Sequence, residues 1–279
     1  MSNRLLLCTD MDRTIIPNGR QLEHPQARAH FRQLCGLSSV KLAYVSGRHL
    51  QLVEQAIADY QLPKPDYAIT DVGTKIYCLE QSGWSEISAW QKQIADDWRG
   101  KSHDQLQHAL TRFPELILQE QSKQNDFKLS YYLSLSADRD KILQLVERQL
   151  TQLGVAASLI WSIDEPKQVG LLDVLPRNAT KLHGIEFLQQ YLRYGPQEVL
   201  FAGDSGNDLQ VLGSSIRSIL VANAEPEIKQ QALQLAEHNG YAETLFLAQQ
   251  DNFPLGGNYS AGVLQGVAYY CPEIGEKLT

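Results

Sequence analysis

Apolar positions along the chain fall into two textures. The first is a set of short, unbroken apolar runs, "LLLC" at 5–8, "LAYV" at 42–45, "VLFAG" at 199–203 and "SILVAN" at 218–223. A strand without polar alternation is buried on both faces, as a central strand of a parallel sheet must be. Amphipathic stretches such as "RAHFRQL" and "KLHGIEFLQQYL" separate these runs and predict helices, so the order is βαβ. "DYAITDVGTKIYCL" adds two further strand pieces, with Gly73 and Thr74 marking the turn between them.

From about residue 85 the texture changes. "QKQIADDWRGKSHDQLQHALTRF" reads as a polar helix, "ELILQEQ" and "DFKLSYYLSLS" as strands, "DRDKILQLVERQLTQLG" as a helix, and "ASLIWSI" and "QVGLLDVLP" as two more strands. Their period-two polarity predicts an antiparallel sheet covered on one face. Within it Lys128, Ser130, Tyr132 and Ser134 share one face and Phe127, Leu129, Tyr131 and Leu133 the other. The βα rhythm then resumes and runs through "ETLFLA" and "AGVLQGVAYY". The pattern predicts an α/β protein: a Rossmann-like parallel-sheet core from residues 1–84 and 178–279, interrupted by an inserted αββαββ domain over 85–177.

Composition narrows the partners. A length of 279 residues is enough for a large core, and the net charge of -7 argues against a general nucleic-acid binder, whose affinity rests on Lys and Arg meeting phosphates. Cys8, Cys35, Cys78 and Cys271 are far apart and form no CxxC pair, which suggests neither a disulfide framework nor a zinc site. No leader-like start and no apolar run near ~18 residues is present, so the expectation is a cytoplasmic protein that does not engage a membrane.

The chemistry is carried by strand ends. The first strand stops at Asp10 and Asp12 with a hydroxyl at Thr14. Residues two apart on an extended strand point to one side, so both carboxylates can face one crevice, and close like charges call for a cation such as Mg²⁺. One carboxylate can attack phosphorus while the other handles protons. A helix cap or turn would use the same acids equally well. "AYVSGRH" ends the next strand in Ser46, Gly47 and Arg48, a hydroxyl and backbone N–H groups suited to a phosphoryl oxygen. Lys181 falls in the first turn of a helix, and "LFAGDSGNDLQVL" ends a strand in Asp204 before Asn207 and Asp208 open a helix. Those oxygens suit Mg²⁺, and they would also cap a helix.

Together these four stretches resemble the haloacid dehalogenase superfamily of phosphotransferases. The resemblance implies Asp10 as nucleophile, Asp12 as general acid/base, Ser46 and Lys181 on the transferring phosphoryl, and Asp204 on Mg²⁺. It further implies Asp12 coordinating through its carbonyl and Asp208 as a ligand or the acid behind one. Arg13 and Leu182 depart from the superfamily pattern, where Gly or Asn is commoner at the first position and Gly at the second. An Arg at φ > 0 would be strained.

The αββαββ insertion resembles a type C2B cap, which closes over small organic phosphates. "EHP", "KPDYAITDVGTKIY", "FKLSYYL", "LLDVLPRNATK" and "GDSGND" together resemble the sucrose-phosphate and mannosylfructose-phosphate phosphatases. That likeness implies substrate contacts from Lys128 and from the "DVGTK" residues Gly73 and Thr74, with Thr14, Gly47, Arg48 and Asn207 also on the phosphate side. It implies hydrolysis of a disaccharide phosphate, sucrose 6-phosphate ahead of mannosylfructose phosphate. A phosphomannomutase-like phosphotransferase or a silent partner of a sugar-phosphate synthase are the alternatives, and such a synthase is the one macromolecular partner in view. The seven histidines form no metal spacing.

Overall fold

In the computed structural model the described residues are 4–164, 166–251 and 253–275. The chain forms two compact units, one from Met1–Glu86 with Lys181–Thr279 and the other from Ile87–Thr180, beside the expected breaks at 84/85 and 177/178. In chain order the first unit starts with β1 (Leu5–Thr9), α1 (Ala27–Cys35), β2 (Val40–Val45), α2 (Leu50–Asp59), β3 (Tyr67–Thr70), β4 (Lys75–Glu80) and β5 (Gly83–Glu86). The second unit holds α3 (Ser88–Ala95), α4 (His103–Leu110), β6 (Ile117–Leu118), β7 (Leu129–Leu133), α5 (Arg139–Gln152), β8 (Ala157–Asp164) and β9 (Val169–Pro176). The first unit is completed by α6 (Lys181–Tyr191), β10 (Val199–Gly203), α7 (Leu209–Leu212), β11 (Arg217–Leu220), α8 (Pro226–His238), β12 (Leu245–Leu247), α9 (Ser260–Tyr270) and α10 (Pro272–Gly275).

The first unit is built on an eight-stranded sheet in the order β12-β11-β10-β1-β2-β3-β4-β5. The strands from β12 to β3 run parallel, and β4 and β5 are antiparallel additions at the edge. β1 lies at the centre, and every residue of it is buried. Its unbroken apolar run follows from that position, since a fully buried Leu contributes about 1.5–3 kcal/mol and a polar residue there would need a partner on either face. A core of Leu5, Leu7, Phe31, Leu34, Val263 and Val267 among others joins the sheet to α1 and α9. Parallel pairing of β10, β1, β2 and β3 brings the residues that follow each strand to one sheet edge. Asp10, Ser46, Asp71 and the loop opening at Asp204 are those residues.

The edge hairpin differs from the sequence expectation, which ended the core sheet near residue 84 without β5. The strand is polar and half exposed, so periodicity gave it no signature, and a pairing of Leu79 with Trp84 across the Gly83 turn holds it.

The second unit is a four-stranded antiparallel sheet, β6-β7-β9-β8, with α4 and α5 on one face. Leu129, Tyr131 and Leu133 enter its core together with Ile142, Val146 and Leu150. The polar helix expected over 91–113 is two helices. Arg99 and Gly100 stand at φ 47 and 75, which breaks the helix, and a capping box of Ser102 and Gln105 restarts it. The groups on the face of Lys128, Ser130, Tyr132 and Ser134 are partly committed to partners within the unit. The Ser130 hydroxyl is fully buried and donates to Asp173, and Tyr132 donates to Glu120.

One contact in the core sets how closely α9 approaches the sheet. A Cβ on Gly266 would stand 2.3 Å from Ile219 of β11, so only glycine allows this spacing. Gly266→Ala therefore strains the α9–β11 contact and should destabilise by about 1–3 kcal/mol, read as a lower urea midpoint with unchanged slope.

Candidate active site

The loops after β1 and β10 carry the densest charge in the first unit. Asp10 is 5 % exposed, and its Oδ1 accepts from the Met11 N–H at 2.8 Å. Lys181, the first residue of α6, is 7 % exposed and places Nζ 3.2 Å from the same oxygen. The ammonium also donates to Asp208 Oδ1 at 2.8 Å and to Asn207 Oδ1 at 2.9 Å. Asp208 is fully buried, and its second oxygen accepts from the backbone N–H groups of Asp204 and Ser205 at 3.0 and 3.1 Å. One carboxylate thus shapes the loop with one oxygen and holds the lysine with the other. Glycine at the end of β10 makes the room, because a Cβ on Gly203 would meet Asp208 at 2.6 Å.

Carboxylate oxygens of Asp10, Asp204 and Asp208 lie within 4.8 Å of one another, and all three residues are buried. Thr14 donates its hydroxyl to Asp204 Oδ1 at 3.2 Å. Among the described residues Asp204 Oδ2 is buried with no hydrogen-bond partner, although Arg13 Nε stands 3.3 Å away. Burial, reinforced by Asp208, pushes the Asp204 carboxyl up to about 6. Burial likewise pushes Asp10 up, against the opposing pull of Lys181. Burial works to discharge Lys181, but Asp10 and Asp208 outweigh it and hold the amine above its usual range. The lysine keeps its proton, while ionising all three acids would put more negative charge here than it can offset. A buried set of hard oxygens with surplus negative charge and one unpartnered oxygen fits a divalent cation.

Asp12 belongs to a different arrangement. Its carboxylate takes both Arg48 Nη2 and Nε, at 2.7 and 2.8 Å, and Asn18 Nδ2 at 2.8 Å. Burial works to raise its pKa, yet the Arg48 bonds and charge with Asn18 outweigh that and hold it below the usual carboxylate range. The Asp12 side chain therefore stands outside the group of three acids, and its expected place at a metal rests on its carbonyl alone. A cavity of about 250 Å³ opens here, lined by Asp10, Asp12, Arg13, Ser46, Gly47, Arg48, Asp204, Ser205 and Asn207. Ser46 is 2 % exposed and accepts from the Arg48 N–H, and a Cβ on Gly47 would meet none of the described residues within 4 Å.

Gly73 and Thr74 are not among the lining residues. They follow β3 at the same sheet edge, in a turn where Asp71, Val72 and Gly73 stand at φ 53, 60 and 93. A β-branched residue at positive φ is costly and persists only where its surroundings hold it. Here the Asp71 N–H donates to the Arg48 carbonyl, and Thr70 and Thr74 bond to Asp71. Lys128 is buried in the second unit, just before β7. Sequence reasoning missed Asn18, Ser205, Asn223 and Glu225. Asn223 donates to the Arg13 carbonyl and accepts from the Tyr259 N–H, and Ser205 donates to Asn207 and Asp208. Ser205 alone had a visible signal, its place in "GDSGND".

Among the described residues no helix is long and apolar enough to cross a membrane. A HAD-like hydrolase from Nitrosococcus oceani is 45 % identical over 98 % of this chain and 73 % of its own length. Mannosylfructose-phosphate phosphatase from Agrobacterium fabrum is 26 % identical over 95 % of this chain and 96 % of its own. The crystal structure of the sucrose-phosphatase from Synechocystis, in complex with sucrose and phosphate, superposes with a TM-score of 0.70 at 27 % identity, covering 96 % of this chain and 98 % of that one. Other relatives are longer: the match spans 52 % of tobacco sucrose-phosphatase 1 and 28 % of a glucosylglycerol-phosphate synthase from Pseudomonas anguilliseptica. The profile of the sucrose-6F-phosphate phosphohydrolases matches residues 3–271. The chain belongs to that family, and it is a phosphoric monoester hydrolase of the HAD fold.

Proposed function

We propose that the chain is a Mg²⁺-dependent phosphatase that hydrolyses a disaccharide phosphate, sucrose 6-phosphate foremost, through an aspartyl phosphate on Asp10. The observation that carries this reading is the buried Lys181 bridging Asp10 and Asp208, with Asp204 alongside, at a cavity edged by Ser46, Gly47 and Arg48. Asp10, Asp204 and the Asp12 carbonyl would hold Mg²⁺, with Asp208 behind them, and the ion would neutralise the phosphoryl oxygens against the attacking acid.

The residues divide the rest. Asp10 Oδ1 is fixed by Met11 and Lys181, so the other oxygen is the nucleophile. It forms a bond to phosphorus as the bond to the sugar oxygen breaks. The ammonium of Lys181, the Ser46 hydroxyl and the Gly47 N–H meet the charge that develops on the phosphoryl. Arg48 is held by Asp12 in the resting site, and a phosphoryl group competes for the same guanidinium. Its transfer to the phosphoryl removes the cation that keeps Asp12 ionised, so Asp12 takes up a proton from solvent and passes it to the departing sugar alkoxide. Asp12 then takes a proton from water, the water oxygen bonds to phosphorus, and Asp10 leaves as carboxylate with inorganic phosphate released.

The end-to-end likeness to the Agrobacterium enzyme favours mannosylfructose phosphate as the second substrate to test. A phosphomutase-like outcome would retain the phosphoryl on a sugar. The partial match to a glucosylglycerol-phosphate synthase supports a functional link to an enzyme that makes the sugar phosphate.

Two measurements check this reading. Phosphate release from sucrose 6-phosphate, mannosylfructose phosphate and glucose 6-phosphate, with Mg²⁺ and with EDTA, should show a disaccharide phosphate hydrolysed fastest and no turnover in EDTA. Equal rates on all three would remove the disaccharide assignment. Asp10→Asn should lower kcat by about a thousandfold or more while the circular dichroism spectrum is unchanged, and retained turnover would remove the covalent route.

A further inference from the structure

Arg13 is the residue of the acid loop that the reaction leaves without a task. It follows Asp12 directly, and its backbone stands at φ 57, where a long side chain is disfavoured relative to Gly or Asn. Neighbours hold it there from several directions. Its N–H donates to Asn18 Oδ1 at 2.9 Å, and its carbonyl accepts from Asn223 Nδ2 at 2.6 Å. Its guanidinium Nη2 donates to Glu225 Oε1 at 2.9 Å. So anchored, Nε comes within 3.3 Å of Asp204 Oδ2 without a hydrogen bond forming, and both atoms are buried and otherwise unpartnered among the described residues. The guanidinium lends its charge to Asp204 and leaves the oxygen open to another ligand.

That charge is large on the scale of the site. Three carboxylates face one ammonium in the buried cluster, and Asp12 with Arg48 is a self-balanced pair. With all three acids ionised, as a bound cation requires, the cluster alone carries two surplus negative charges, and Arg13 opposes one of them to the extent that Glu225 leaves its charge unmasked. We propose that Arg13 is a built-in counterweight that weakens the grip of Asp204 and its neighbours on a divalent cation, with Glu225 setting how much of the charge is felt. This deepens the Mg²⁺ reading above and rests on it. The trade has a use: with a dication bound, Arg13 leaves the site less negative than it would otherwise be, which favours entry of an anionic phosphoryl group into the cavity that Arg13 lines.

The test is calorimetric titration of MgCl₂ into the full chain without substrate. Arg13→Asn should bind about tenfold more tightly than the wild type, the effect of one unit charge on a dication at close range in a water-like dielectric. Asn suits the backbone at this position, so the comparison is not confounded by strain. Arg13→Lys, which keeps the charge, should stay within about twofold, and Glu225→Gln, which unmasks it, should bind a few-fold more weakly. Arg13→Asn binding no tighter than the wild type, or Glu225→Gln binding tighter, would overturn the proposal. If the wild type binds Mg²⁺ and Asp204→Asn abolishes it while Arg13→Asn changes nothing, the counterweight falls and the metal reading stands. If the wild type and Asp204→Asn alike take up no ion, both fall.

Discussion

The arrangement on which the rest of the site depends is the buried ammonium of Lys181 between Asp10 and Asp208. Burying an isolated ammonium costs several kcal/mol, so it is tenable only because carboxylates meet it at short range. Each partner is itself committed elsewhere: Asp10 to the Met11 amide, Asp208 to the amides of Asp204 and Ser205. The lysine thereby locks the ends of β1 and β10 to the start of α6. Adjacent parallel pairing of β1 and β10 is what brings the two acid loops side by side, and burial of β1 is what keeps them there. Stability and chemistry share these contacts.

Much of this was legible in the chain because central parallel strands announce themselves. β1, β2, β10 and β11 read as apolar runs, and the acids that end β1 and β10 fall where parallel strands place ligands. Lys181, Asp204 and Asp208 could be named from their motifs, yet the division of labour inside Asp208 could not, since it depends on a loop folding back on its own backbone. Asn18, Asn223 and Glu225 were illegible for a plainer reason. They sit in loops without periodicity, up to 212 residues from the Arg13 they hold, and no local pattern encodes such a pairing.

The errors have a common physical origin as well. β5 is a polar edge strand whose existence rests on its hairpin partner, so its own composition says little. The break between α3 and α4 turns on left-handed backbone at Arg99 and Gly100 inside an otherwise helical composition. The face of Lys128, Ser130, Tyr132 and Ser134 shows the opposite case: its alternation is real, but Ser130 is used internally by Asp173. Periodicity assigns a face, and it leaves open whether the groups on that face are already bonded.

Strain and charge converge on the same sheet edge. Arg13 after β1 and the Asp71–Gly73 turn after β3 both hold positive φ, and both are tied to charged residues of the cavity, Arg13 to Asp204 and Asp71 to the carbonyl of Arg48. A relaxed loop would let these groups drift, and a phosphoryl group must be met by fixed donors for electrostatic stabilisation to act without reorganisation. Arg48 illustrates the point. Its carbonyl accepts from the strained turn while its guanidinium is held by Asp12, so in the proposed reaction the backbone stays in place as the side chain exchanges partners. A rigid frame with one exchangeable cation is what a site needs if the same carboxylate is to be masked at rest and to carry a proton once the anionic substrate has arrived.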